Sequence, residues 1–146
     1  MNAEYYERLY EQLKTHEGYK EFPYTDTVGK LTIGLGHNLT DRGLSEKAIA
    51  FIFYEDVQEA ESELDKLHKP WRKLDETRRR ALTDIMFNLG PNRFKNFRKF
   101  WKAMQSVDYK SAAAELLDSR WRQQVGKRAY TLAEMIETGD GYVSQT

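Results

Sequence analysis

Apolar positions in the first part of the chain recur at helical spacing: Tyr6, Leu9, Tyr10 and Leu13 mark one face of a helix over 3–16. Glu4 and Glu7 lie near its start and Lys14 near its end, as the helix macrodipole favours, and Gly18 supplies a stop signal. The period then changes. Leu31, Ile33, Leu35 and His37 alternate with Thr32, Gly34 and Gly36, which predicts a strand over 31–37 whose Leu31–Ile33–Leu35–His37 face points inward. Residues 22–26 are its hairpin partner, turning through 27–30. The glycine face of that strand lets another chain or a ligand approach the backbone closely. After Ser45, a good N-cap, the pattern is helical again, with Ile49, Ile52, Phe53, Val57, Ala60, Leu64 and Leu67 as one stripe over 45–67. Pro70-Trp71 breaks it. Asp75 caps a helix with Leu82, Ile85, Met86 and Leu89 inward, ended by Gly90-Pro91. Phe94, Phe97, Trp101 and Met104 predict a single further helix. Asp108 caps the next, and a last helix over 127–138 turns Ala129, Leu132 and Ile136 inward before Gly139. The tail from Asp140 is expected to fray.

These elements describe one α+β, mostly helical domain over 1–146. A small β-containing lobe spans 17–43, a connecting helix 45–67, and a larger helical lobe 69–139 together with the N-terminal helix. The chain has no cysteine, which excludes disulfides and thiolate metal sites. His16, His37 and His68 are scattered without metal-ligand spacing, so neither metal nor cofactor is expected. No stretch approaches the roughly 20 apolar residues of a membrane span, and the N-terminus lacks a signal-like apolar run. A soluble monomer made in a cytoplasm is the expectation.

Charge changes the picture more than composition does. The formal net charge is zero, but residues 1–68 carry −7, residues 69–130 carry +10 and residues 131–146 carry −3. A basic later half suits contact with an anionic polymer. Nothing in it resembles a helix-turn-helix or another base-reading motif, so nucleic acid is not the expected partner.

Candidate chemistry concentrates in EGYKEFPYTDTVGKLTIGLGH, residues 17–37. Glu17 stands at a helix C-terminus, Asp26 at a hairpin turn, and Thr32 on the glycine-bearing side of the next strand. A helix end and a hairpin can place two carboxyls across a cleft. One of them can donate a proton to a leaving oxygen while the other activates water or attacks carbon, as glycoside hydrolysis requires. A separate expectation concerns His37. Asp56 lies beside the apolar stripe of the 45–67 helix and needs a partner, which predicts a His37–Asp56 ion pair between strand and helix.

The run Glu17, Asp26, Thr32, Gly34, Gly36 and His37, at its ungapped spacing, resembles the active-site signature of the bacteriophage-type lysozymes. Leu74-Asp75-Glu76-Thr77-Arg78-Arg79 with Phe87-Asn88-Leu89-Gly90, then Ser119-Arg120-Trp121 and Arg128-Ala129, extend the resemblance over about residues 5–139. It implies a lysozyme-like two-lobed fold and a muramidase with Glu17 as proton donor. Asp26 and Thr32 would hold the attacking water, with Asp26 as base. Arg128 would pair with the glutamate, His37 with Asp56, and Asn88, where relatives carry glutamine, would touch the sugar. The implied partner is the glycan of bacterial peptidoglycan. The implied biology is a phage or prophage endolysin that accumulates in the host cytoplasm and reaches the wall through holin-made lesions, without inserting in the membrane itself. The segment 38–44 is shorter than in the best-known members, which implies a smaller cleft roof.

Two rivals remain open on the sequence alone. A lytic transglycosylase would cut the same bond with the acid alone, closing a 1,6-anhydro ring. A non-catalytic module would bind the wall through the basic half.

Overall fold

The computed structural model describes residues 1–139, so the expectation for the tail from Asp140 lies outside the described residues. The chain divides into two compact units, with the boundary between Phe51 and Ile52.

The first unit opens with α1 (Ala3–Glu17). Asn2 caps it, its side chain accepting from the Tyr5 amide at 2.9 Å, and Glu4 pairs with Arg8 one turn on. Gly18 ends it at φ +82°, its N–H donating to the Lys14 carbonyl. A three-stranded antiparallel sheet follows, in the order β1 (Lys20–Thr25), β2 (Leu31–Gly34), β3 (His37–Asn38). Tyr24 pairs with Thr32 and Thr25 with Leu31, and an irregularity separates them from the Lys20–Gly34 pair.

The expected continuous strand over 31–37 is thus two strands. Gly34 and Gly36 both take positive φ, +69° and +77°, and reverse the chain after Ile33. His37 therefore stands opposite Ile33, and Asn38 opposite Thr32. Directly opposed antiparallel residues share a face, so His37 and Ile33 lie on one side of the sheet by cross-strand pairing and not by alternation along one strand. The burial expected for this strand is also partly inverted. Thr32 is 4% exposed and Leu31 is 45% exposed.

A short helix absent from the sequence reading, α2 (Leu39–Arg42), then folds back on β2. Asn38 caps it, and the Thr40 hydroxyl accepts the Leu31 amide at 2.7 Å. The Lys30 ammonium reaches Asp41 at 3.1 Å.

The second unit holds the main core. The helix α3 (Glu46–His68) begins in the first unit and ends in the second. Its expected apolar stripe is buried only toward its C-terminal end, at Ala60 and Leu64, with Leu67 half-buried. Ile49, Ile52 and Phe53 are exposed. The difference follows from where the core lies, since only the later turns of α3 contribute residues to it, while Phe53 touches α4 at the surface through the Phe87 ring. A 3-10 turn at Lys69–Lys73 buries Trp71. The remaining helices are α4 (Glu76–Leu89), α5 (Pro91–Lys95), α6 (Arg98–Gln105), α7 (Tyr109–Leu117), α8 (Arg120–Val125) and α9 (Lys127–Thr138). Asp75 and Asp108 cap α4 and α7 as expected, each accepting a backbone N–H three residues on. The helix α9 packs against α4, α7 and α8, and Ala81, Leu82, Ile85, Ala112, Leu116, Leu132 and Ile136 form the centre.

The single helix expected over Phe94–Met104 breaks into α5 and α6. The Phe94 carbonyl accepts the buried Trp101 indole N–H at 2.9 Å, and the Arg98 amide bonds Asn96 instead of continuing the helix. The break lets Phe94, Phe97, Phe100 and Trp101 converge in one aromatic cluster.

Candidate active site

In the first unit the folding of the hairpin brings the signature residues into a small number of direct relations. Glu17 is the last residue of α1, and its side chain lies over Gly36 in the β2–β3 turn. A β-carbon at Gly36 would stand 3.1 Å from the Glu17 Oε2 and 3.4 Å from its Cβ and Cγ. Gly36 therefore serves two needs, a left-handed backbone and room for a carboxylate. The other glycine of the turn, Gly34, has nothing within 4 Å of the same position, so there the requirement is conformational alone.

Asp26 and Thr32 are organised by the backbone of one residue, Lys30. Asp26 Oδ1 accepts the Val28 N–H at 3.0 Å and the Lys30 N–H at 2.8 Å, an Asx-type closure of the 27–30 turn. The Lys30 carbonyl accepts both the Asp26 N–H at 2.8 Å and the Thr32 hydroxyl at 3.0 Å. Since Thr32 Oγ1 spends its proton on Lys30, its lone pairs remain as acceptors. Asp26 Oδ2 is likewise left for other partners. Lys30 was not singled out from the sequence. The signal that points to it is its position four residues after a turn aspartate.

His37 closes the loop that follows. Its Nε2 lies 2.6 Å from the Gly43 carbonyl, and because a carbonyl only accepts, Nε2 carries a proton. Around this histidine is a hollow of about 640 Å³ lined by Tyr19, Ile33, Leu35, Arg42 and Leu44 among others. It includes none of Glu17, Asp26 and Thr32. Thr32 and Ile33 are neighbours on one strand and point to opposite faces, so the hollow and the Asp26–Thr32 cluster lie on different sides of the sheet.

The other three residues proposed from sequence are in the second unit. Arg128 is engaged by Asp84, its Nε 3.0 Å from Oδ1 and its Nη2 bonded to the same carboxylate. Asp84 was not among the sequence candidates, because a pairing across 44 residues leaves no local pattern. Asn88 accepts the Trp121 indole N–H at 2.5 Å, tying the end of α4 to α8. Asp56 is exposed on α3 and lines a shallow hollow with Glu59, Glu63, Met86 and Pro91. Among the described residues no group of three His, Cys, Asp or Glu side chains is arranged to hold a metal ion, and no helix is long and apolar enough to cross a membrane.

Comparison with known proteins adds an independent finding. A family model described as phage lysozyme matches residues 14–135. The chain is 29% identical to "Probable T4-type lysozyme 2" of Dictyostelium discoideum, covering 90% of this chain and 94% of that one. It is 25% identical to "Probable T4-type lysozyme 1" of the same organism, covering 88% and 93%. A third likeness, at 24% identity, is to the "Pre-baseplate central spike protein Gp5" of Enterobacteria phage T4, where the match spans 89% of this chain and 28% of that longer protein.

Proposed function

The chain belongs to the phage lysozyme family, and from that premise we propose that it is a muramidase that hydrolyses the β-1,4 bond between N-acetylmuramic acid and N-acetylglucosamine in peptidoglycan. Membership supports a muramidase-like cell-wall hydrolase. The bond, the mechanism and the roles of single residues are part of the proposal.

In that reading Glu17 is the general acid, protonating the glycosidic oxygen as the bond breaks. The observation that carries it is the Glu17 carboxylate packed on a glycine of the same β turn that follows Thr32. A water held between Asp26 Oδ2 and the Thr32 lone pairs attacks the opposite face of the sugar. Asp26 takes its proton, and Thr32 fixes its orientation. The backbone of Lys30 supports both acceptors, its N–H donating to Asp26 and its carbonyl accepting from Thr32, which favours a positioned water over a direct carboxylate nucleophile. The outcome is inversion, which calls for carboxyl groups roughly 6.5–9.5 Å apart in the substrate complex, against about 5–5.5 Å for a retaining pair. Arg128, His37, Asp56 and Asn88 are proposed as supporting residues on the family resemblance alone. The enzyme acts as a monomer in host-cell lysis, released from the cytoplasm by a holin.

The products of digested peptidoglycan test this. Hydrolysis with inversion gives reducing muramic ends that appear first as the α anomer. An initial β anomer would remove the inverting assignment. Ends carrying a 1,6-anhydro ring would replace hydrolysis by transglycosylation and leave Asp26 and Thr32 without a role.

A further inference from the structure

The stretch from residue 85 to residue 107 contains five cationic residues, Arg93, Lys95, Arg98, Lys99 and Lys102, and no aspartate or glutamate. All five are exposed on α5 and α6. None makes an ion pair among the described residues, and the one side-chain hydrogen bond in the set is from Arg93 to the neutral Gln124 at 2.8 Å. Elsewhere in the same unit some cations are paired, as in Lys69–Asp65, Arg72–Asp65, Arg78–Asp75 and Arg128–Asp84, whereas α5 and α6 carry five together with no pair among the described residues. Glu115 and Asp118 line a hollow with Arg98 and Lys99 but form no ion pair with them.

The placement runs against local helix energetics. The first turn of α6 holds Arg98 and Lys99, has no acidic residue and no side-chain cap. Positive charge at a helix N-terminus is opposed by the macrodipole. Folding alone does not favour this arrangement. The charges also stand on a stiff base, because Phe94, Phe100 and Trp101 beneath them are buried and mutually packed.

We infer that the exposed face of α5–α6 is a wall-contact surface that holds the protein on the carboxylates of peptidoglycan stem peptides, separately from glycan binding at the Glu17–Asp26 site. This rests on the muramidase reading for the identity of the polymer. On α5–α6 the rings of Phe94, Phe100 and Trp101 are buried and Phe97 between them is half-buried, and the exposed positions between Arg93 and Gln105 are polar. That leaves no stacking platform for nucleic-acid bases and no apolar wedge for a lipid surface. A face that offers charge alone fits a mesh of dispersed carboxylates, engaged without fixed stoichiometry and screened by salt.

The test is a fourfold variant, Lys95→Gln, Arg98→Gln, Lys99→Gln and Lys102→Gln, beside its Lys→Arg counterpart at positions 95, 99 and 102. Two quantities are read: co-sedimentation with purified peptidoglycan sacculi across salt, and turnover of soluble glycan chains stripped of peptide stems. The inference predicts that the Gln variant loses about tenfold in sacculus retention at low salt. Its salt dependence should flatten while soluble-glycan turnover stays at the wild-type rate, and the Arg variant should bind like wild type. Amidating the stem carboxylates should abolish the difference between wild type and the Gln variant. Retention equal to wild type overturns the inference, as does a loss that persists on amidated sacculi. So does a loss seen only on anionic vesicles or DNA. If wild type releases no reducing muramic ends from sacculi yet the retention results follow the prediction, the muramidase reading fails and the wall-contact surface stands.

Discussion

Replacing Gly36 by alanine separates two roles that the turn combines. The first is backbone strain. At φ +77° an L-residue costs about 1–2 kcal/mol relative to glycine. The second is contact. The new methyl would stand 3.1 Å from the Glu17 Oε2, closer than ordinary van der Waals distance, so the carboxylate must yield by a few tenths of an ångström or rotate away. Glu17 is an exposed, flexible side chain, so this displacement adds little to the stability cost. It does move the group proposed to deliver the proton, and misplacement on the scale of 1 Å can cost about 10²-fold in rate. Gly34→Ala is the matched control, with φ +69° and open space around the added carbon. Denaturant unfolding should show both variants destabilised by similar amounts, about 1–2 kcal/mol. Peptidoglycan clearing, normalised to folded protein, should fall about 10- to 100-fold further in Gly36→Ala than in Gly34→Ala. Equal clearing by the two would refute the argument that Gly36 makes room for the acid.

Other residues give sharper readings of single interactions. Thr32→Val keeps the buried shape but removes the hydroxyl that donates to Lys30. Because the Lys30 carbonyl retains the Asp26 N–H, unfolding measurements should register a loss of only about 1 kcal/mol, while turnover falls about tenfold or more for want of a water acceptor. Asp65 receives Arg72 Nε at 2.7 Å and Trp71 Nε1 at 2.9 Å, and the Arg72 bond above all holds its carboxyl well below the usual carboxylate range. Its contribution is complete above the unfolded value of about 3.9 and is lost as pH falls through the lower folded value. Melting temperatures between pH 2 and 7 should therefore show Asp65→Asn less stable near neutrality and with a shallower acid-side decline. A parallel decline would contradict the pairing. Val107, exposed at φ +58°, is a β-branched residue in the left-handed region, and Val107→Gly should raise stability by about 0.5–1 kcal/mol after the entropic cost of glycine. A lower unfolding midpoint would show that its side chain makes a contact worth more than the strain.

Local chemistry was legible in the sequence wherever one residue controls its own surroundings. The caps at Asp75 and Asp108, the stops at Gly18, Gly90 and Gly139, and the 27–30 turn all depend on side chains or dihedrals within a few positions. What failed were inferences that extended a period across a point where tertiary contacts decide. Alternation from Leu31 to His37 looked like one strand because glycine is silent about direction, and two positive-φ glycines reversed it. The aromatic period from Phe94 to Met104 looked like one helix because nothing in the residue letters shows the Arg98 amide turning to Asn96 or the Trp101 indole joining the Phe97 amide on the Phe94 carbonyl. At the candidate site the spacing of Glu17, Asp26 and Thr32 was visible, but the role of the Lys30 backbone between two of them was not. A backbone group carries no signal of its own in the residue letters. The Arg128–Asp84 pair was hidden for a different reason, since two charges far apart in sequence meet only through the packing of α9 on α4.

The most direct test of the central claim is the rate at which Glu17→Gln clears purified peptidoglycan, measured beside wild type with an unfolding curve for each. Removing the transferable proton from an exposed side chain should leave stability within about 0.5 kcal/mol and cut turnover by about 10²–10⁴-fold. A Glu17→Gln protein that clears the wall as fast as wild type would contradict the assignment of this carboxyl as the acid, whatever its neighbours do.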